Sequence, residues 1–207
     1  MLNLFARPHV SRLVDPVGRW LVERGVSPDV VTVAGTAASV AAAVWFIPRG
    51  QLVAAAVTIS VFVLFDVVDG AMARARGYST RFGAVLDSTC DRVADGALLA
   101  ALTWYCLVVT EQRPLAVAAL FCLVAGQVIS YVKARAEGAG LRADGGLVER
   151  AERLIVTLIG AFLAGLGVPY ALDVALWALA VASAWTVGQR LRAVYRSARD
   201  SEAGSGT

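Results

Sequence analysis

Long apolar runs, each closed by a short cluster of glycine, proline or charge, dominate the pattern along the chain. They cover residues 52–65, 84–109, 114–132, 154–168 and 170–189. A further run opens at Ser27-Pro28-Asp29, where a capping hydroxyl, a first-turn proline and a first-turn acid predict a helix to about Phe46. The breaks fall at 48–50, 74–82, 111–114, 138–150 and 167–169. Ahead of the first run, Val10, Leu13, Val14, Val17 and Leu21 recur at helical spacing, with Arg12 and Arg19 on another face. That pattern predicts an amphipathic helix lying in the membrane surface over 1–25. Arg12, Asp15, Pro16 and Arg19 deny it the unbroken apolar core of a signal peptide. Residues 197–207 are small and polar and are expected to be disordered.

Composition turns these runs into membrane spans. The chain has 207 residues, 58% of them hydrophobic and 17% charged, with a mean hydropathy of +0.66, which excludes an ordinary soluble domain. At about 20 apolar residues per crossing, six spans fit and no separate soluble domain does. The expected fold is therefore an all-α integral membrane protein with six transmembrane helices, a membrane domain over 26–196 and an interfacial helix before it. The 19 basic residues divide sharply between the two sides of such a fold. Seventeen fall in the N-terminal segment, the loops after spans two and four, and the C-terminal end, while Arg49 and Arg113 alone lie opposite. By the positive-inside rule, both termini and those loops face the cytoplasm, so the chain is expected in the plasma membrane as a multi-pass protein. The net charge of +3 is accounted for by this asymmetry, and no nucleic-acid partner is expected. Cys90, Cys106 and Cys122 sit in apolar surroundings with no paired spacing and read as small core residues.

Four aspartates interrupt this apolar pattern. Asp66 and Asp69 lie at the end of span two, and Asp87 and Asp91 at the start of span three. At about 100° per residue, Asp66, Asp69, Gly70 and Ala73 share one stripe, and Gly83, Asp87 and Asp91 another. The short connection would set the two helices antiparallel with the stripes facing. An ionised acid within a membrane helix costs roughly 2.5–3.5 kcal/mol, so protons or cations must neutralise the group. The donors are all oxygen, which favours Mg²⁺ or Mn²⁺ over zinc. Four carboxylates suit two cations about 3.5–4 Å apart, an arrangement that stabilises attacking and leaving oxygens in phosphate displacement. Pairing of individual acids with Arg74, Arg76, Arg81 or Arg92 is the competing structural explanation. Asp95 continues the i+4 series and reads as structural.

Written as a pattern, Asp66 to Asp91 is D-x2-D-G-x2-A-R-x8-G-x3-D-x3-D. It resembles the signature of the CDP-alcohol phosphatidyltransferase family at every fixed position. The resemblance implies a six-helix membrane enzyme, usually a homodimer, in which an alcohol hydroxyl attacks the β-phosphorus of a CDP-linked lipid and CMP leaves. It implies that Asp66, Asp69, Asp87 and Asp91 hold two metal ions, that Asp91 is the catalytic base, and that Gly70, Ala73 and Arg74 line the nucleotide site. Pro28, Asp29 and Thr32 match the segment that helps hold the cytidine, although plain helix capping explains them equally.

Ser130-Tyr131-Val132-Lys133-Ala134-Arg135, Asp144-Gly145-Gly146 and Glu149-Arg150-Ala151-Glu152-Arg153 are similar to the actinobacterial members of the family that take inositol 1-phosphate as acceptor. That likeness implies CDP-diacylglycerol and inositol 1-phosphate as substrates, with Lys133, Arg135, Arg153 and Arg190 around the acceptor phosphate and Ser130 nearby. Arginine can bind a phosphate through two hydrogen bonds. The same cations would also serve as headgroup anchors. Lys133 and Arg135 fall about 200° apart on an ideal helix and share a pocket only if the helix loosens. A phosphatidylglycerophosphate synthase, whose acceptor is also phosphorylated, is the alternative within the family. An ion or proton transporter is the alternative outside it, but that reading calls for broken helices near the midplane and an internal repeat, whereas these aspartates cluster at one surface and the sequence shows no repeat.

Overall fold

The structure, a computed structural model, describes residues 16, 18, 20–76, 80–143 and 145–204, with the backbone alone for 64–71, 73–76, 203 and 204. Among the described residues all regular structure is helical, in six long α-helices. They are α1 (Pro28–Phe46), α2 (Leu52–Arg76), α3 (Arg81–Trp104), α4 (Arg113–Gly138), α5 (Arg150–Gly165) and α6 (Ala171–Gly204). Ser27 caps α1, its Oγ accepting from the Val30 N–H at 3.3 Å, with Pro28 in the first turn. Thr80 caps α3 in the same way, accepting from the Gly83 N–H at 2.8 Å. Glu149 and Glu152 form a capping box at the start of α5. The chain turns at Gly50 and Gly167, both with positive φ.

The helices close a ring in which α1 packs on α2 and α3, α4 on α3 and α6, and α5 on α2 and α6. Among the described residues, α1 is a common neighbour of α2 and α3. The facing of the two aspartate stripes lies where α2 side chains fall outside the description. Small side chains let the backbones approach: the core holds Ala42, Ala43, Ala55, Ala56, Ala118, Ala119 and Ala161 beside Ile47, Leu102 and Leu176. At Gly160 a side chain would collide with the Cβ of Ala175, so α5 and α6 touch through bare backbone. Cys90, Cys106 and Cys122 are free and buried. Val44, Val57, Val117, Leu120 and Val181 point outwards, an arrangement that suits acyl chains and not water.

Among the described residues four helices are long and apolar enough to cross a membrane: Pro28–Arg49, Arg81–Val109, Arg113–Gly138 and Ala171–Glu202. The opening stretch of α2 whose side chains are described, Leu52–Val63, is apolar as well. The interfacial helix expected over 1–25 lies mostly outside the described residues. The expectation of disorder over 197–207 is corrected for most of that segment, because α6 continues to Gly204. Ala198, Arg199 and Glu202 favour helix, and Ser201 Oγ donates back to the Ser197 carbonyl at 2.8 Å. Residues 205–207 lie outside the description.

Candidate active site

The starts of α1 and α3 come together. A Cβ on Gly83 would stand 2.9 Å from Thr80 Oγ1 and 3.2 Å from Asp29 Oδ1, so the first glycine of the α3 stripe leaves room for the Asp29 carboxylate. Pro28 holds the first turn of α1, and Thr32 is buried with its hydroxyl donating to the Pro28 carbonyl at 3.1 Å. One and two turns along α3 from Gly83 stand Asp87, exposed, and Asp91, partly buried. Between them the hydroxyls of Ser88 and Thr89 donate to their own helix, to the carbonyls of Ala84 and Val85 at 2.9 and 2.8 Å. Asp66, Asp69, Gly70, Ala73 and Arg74 are helical residues of α2, and their side chains lie outside the description. Among the described residues no three His, Cys, Asp or Glu side chains gather into a metal centre. The donors nonetheless fit a hard divalent cation, since the α3 stripe offers carboxylate oxygens one turn apart and no nitrogen or sulfur.

Asp91 is engaged by an arginine from α5 and by its neighbour on α3. Arg150 Nη1 lies 2.8 Å from Asp91 Oδ1, and Arg92 Nη2 lies 3.9 Å from Asp91 Oδ2. One turn further, Asp95 meets Arg150 Nε at 3.3 Å, Arg153 Nη2 at 3.6 Å and Arg92 Nη2 at 3.9 Å. Arg153 is buried and lies across α4, where a Cβ on Gly126 would stand 3.3 Å from its Nε. Arg190 is buried too, donating from Nη1 to the Ile129 carbonyl at 2.9 Å and from Nε to the Gly145 carbonyl at 3.2 Å. It stands close enough to Arg153 for their like charges to oppose each other. The loop from α4 to α5 is tied down over α6, since the Leu147 N–H donates to Gln189 Oε1 and the Val148 N–H to Thr186 Oγ1.

Of the residues expected at the acceptor, Arg153 and Arg190 therefore converge, from α5 and α6 onto α4. Ser130, partly buried, donates to the Gly126 carbonyl at 3.0 Å, one turn from the Arg153 contact. Helix α4 stays regular beyond it, so Lys133 lies within about 20° of Gly126 around the helix and Arg135 about 180° away. Lys133 pairs with Glu137 at 4.0 Å, and Arg135 is exposed on the far face. Asp95 and Arg150 stand in the cluster without having been expected there, and Arg92, expected only as an ion-pair partner of the aspartates, is one for Asp91. Arg150 sits three residues before Arg153 on one helix face, which was the available signal. Asp95 continued the i+4 series but gave no sign of its partners Arg150 and Arg153, more than 50 residues away.

Residues 25–188 match the sequence model of the CDP-alcohol phosphatidyltransferase family. The chain belongs to that family. It is similar to the phosphatidylinositol phosphate synthase of Mycobacteroides abscessus, with 53% identity over 198 residues, covering 95% of this chain and 90% of that protein. The enzyme of the same name from Mycobacterium tuberculosis H37Rv is 52% identical over 199 residues, with 95% and 92% covered. Among solved structures, the M. tuberculosis phosphatidylinositol phosphate synthase with CDP-DAG bound superposes with a TM-score of 0.87 at 53% identity, covering 90% of this chain and 95% of that one. The same enzyme in complex with manganese and citrate gives a TM-score of 0.86, with 89% and 90% covered.

Proposed function

We propose that this protein transfers the phosphatidyl group of CDP-diacylglycerol to inositol 1-phosphate, giving phosphatidylinositol phosphate and CMP. The observation that carries the acceptor is the convergence of buried Arg153 and Arg190 on α4, beside the α3 aspartates. In the Asp91, Asp95, Arg92, Arg150 and Arg153 cluster, three guanidiniums meet two carboxylates, which leaves one positive charge, or two with Arg190. A phosphomonoester near its second ionisation supplies the opposite charge. The relatives' shared name and the CDP-DAG held by the M. tuberculosis enzyme support both substrates.

In this reading the alcohol oxygen attacks the β-phosphorus, the bond from that phosphorus to the bridging oxygen of CMP breaks, and the alcohol proton passes to Asp91. Asp66, Asp69, Asp87 and Asp91 hold two Mg²⁺ or Mn²⁺ ions. When bound, these supply charge neutralisation at the diphosphate and the departing CMP oxygen. Gly70, Ala73 and Arg74 on α2, with Pro28, Asp29 and Thr32 on α1, hold the nucleotide, a reading supported by the approach of Asp29 to Gly83. Ser130, Lys133, Arg153 and Arg190 face the acceptor phosphate. Arg135, on the far face of α4, is the weakest member of that set.

The membrane domain spans the plasma membrane six times over 26–196, with the interfacial helix before it and both termini and the active site on the cytoplasmic side. Helices α2 and α5 make two of the six crossings, and the distribution of basic residues supports the orientation. The protein works as a homodimer, as the family resemblance implies. The test is CMP release by purified protein given CDP-diacylglycerol, Mg²⁺ and a panel of alcohols. Release with inositol 1-phosphate and not with free inositol is expected, and release with glycerol 3-phosphate alone would replace the acceptor while leaving the reaction class intact.

A further inference from the structure

We propose that Asp95, which lies outside the aspartate motif, is a positioning residue that orients Arg150 and Arg153 for the phosphate of the acceptor alcohol. The inference rests on the acceptor reading above and adds to it the residue that makes two cations act as one site. Asp95 is only 13% exposed at its side chain, and both of its oxygens are used. Oδ1 meets Arg150 Nε at 3.3 Å, while Oδ2 meets Arg153 Nη2 at 3.6 Å and Arg92 Nη2 at 3.9 Å. One carboxylate on α3 thus gathers two guanidiniums from the first turn of α5 and one from its own helix.

Without that anion the three cations would repel, and buried Arg153 would lose the carboxylate 3.6 Å from its Nη2. With it, Arg153 is held between Asp95 on one side and the bare Gly126 backbone on the other. Arg150 is fixed at two points, Nε on Asp95 and Nη1 on Asp91, so its plane spans two carboxylates one helical turn apart. A guanidinium binds phosphate well only when its fork is aimed, because the two parallel hydrogen bonds are directional. Arg92 Nε adds an independent observation: it is buried in the same cluster with no hydrogen-bond partner among the described residues, a donor suited to an anion. Asp95 therefore contributes orientation rather than contact, and the group it serves is a phosphomonoester dianion.

The test compares wild type, Asp95→Asn, Asp95→Glu, Arg150→Gln and the Asp95→Asn/Arg150→Gln double variant as full-length protein in lipid nanodiscs. For Asp95→Asn, the KM for inositol 1-phosphate should rise about tenfold or more, with the KM for CDP-diacylglycerol changed by less than about twofold. Inhibition by inorganic phosphate should weaken in parallel. Asp95→Glu, which keeps the anion, should recover part of the loss. Adding Asp95→Asn to Arg150→Gln should cost less than it does alone, because part of the effect runs through Arg150. A lowered melting temperature with an unchanged acceptor KM overturns the proposal, and so do strictly additive effects. If Asp95→Asn does not fold, Arg150→Lys carries the test, since it keeps the charge and loses the fork: a raised acceptor KM supports the proposal and an unchanged one overturns it. Wild-type protein that ignores inositol 1-phosphate and uses glycerol 3-phosphate overturns only the choice of alcohol, and the same comparison is read with that substrate. Wild type that uses only unphosphorylated alcohols overturns both readings.

Discussion

Arg153 lies across α4 at Gly126, where the helix has no side chain. A Cβ at Gly126 would stand 3.3 Å from Nε and 3.7 Å from Cζ, tight enough to push the guanidinium aside. Gly126→Ala would gain about 0.5–1 kcal/mol of helix propensity and lose about 1–3 kcal/mol to overpacking, so its stability should change little or fall modestly. Its acceptor KM should nevertheless rise, and steady-state kinetics beside a melting curve separate the two effects. Arg153→Ala removes the charged contact itself. Loss of a charge-assisted hydrogen bond costs roughly 1.5–3 kcal/mol, or about ten- to a hundredfold in acceptor KM, with the KM for CDP-diacylglycerol nearly unchanged. Arg135→Ala, on the far face of α4, should leave both constants near wild type. At the metal, Asp87→Asn should abolish turnover and weaken Mn²⁺ binding measured by calorimetry, whereas Asp91→Asn should reduce turnover strongly while CDP-diacylglycerol remains bound. Substantial turnover in Asp91→Asn would remove it as the base.

Helix α3 carries the aspartates from a single capped start. Thr80 Oγ1 accepts from the Gly83 N–H at 2.8 Å, immediately ahead of the Gly83, Asp87 and Asp91 stripe. Thr80→Ala should cost about 1 kcal/mol in stability and, by fraying that turn, weaken divalent binding more than it lowers the melting temperature. A matched cap deletion at Ser27 should alter stability by a similar amount, and its effect on metal binding should be smaller, because α1 brings no proposed metal ligand. Helix starts of this kind were readable in the sequence, since Ser27-Pro28-Asp29 names its own cap. Helix ends were less so. The apolar runs stop at residues 65, 132 and 189, whereas α2, α4 and α6 continue to Arg76, Gly138 and Gly204. Hydropathy reports where apolar character ends, and the backbone hydrogen-bond ladder continues past that point wherever the residues tolerate it. The aspartate stripes were legible because spacing along a helix is local. The clustering of Asp95 with Arg150 and Arg153 was not, because it depends on which helices become neighbours in the ring.

At the scale of the whole molecule, the ring sorts its charged groups to one end. Arg150, Arg153, Arg190 and the α3 aspartates lie at the same ends of α3, α4, α5 and α6. Arg49 and Arg113 lie at the other, where Arg49 stacks 3.8 Å from the ring centroid of Trp45. Helix α6, at 34 residues, is about 51 Å long and exceeds a hydrocarbon core of about 30 Å, so a crossing by α6 leaves its final turns, with Arg192, Arg196 and Arg199, beyond that core. If the positive-inside rule governs insertion, that end is cytoplasmic and the water-soluble acceptor and the CMP product exchange with the cytoplasm. Single cysteines at Arg142 and Ser201, both exposed, placed in a background lacking Cys90, Cys106 and Cys122, should then react with an impermeant thiol reagent only after the membrane is opened. Cysteines at Gln51 and Gln112, exposed at the opposite end, should react in intact cells. These positions avoid the positive-φ glycines at 50 and 140, where a side chain would strain the turn and confuse labelling with misfolding. The reversed pattern would turn the molecule over and move the active site to the outer face. Labelling of both sets in intact cells would mean that the two ends are not separated by a bilayer and would remove the six-span reading.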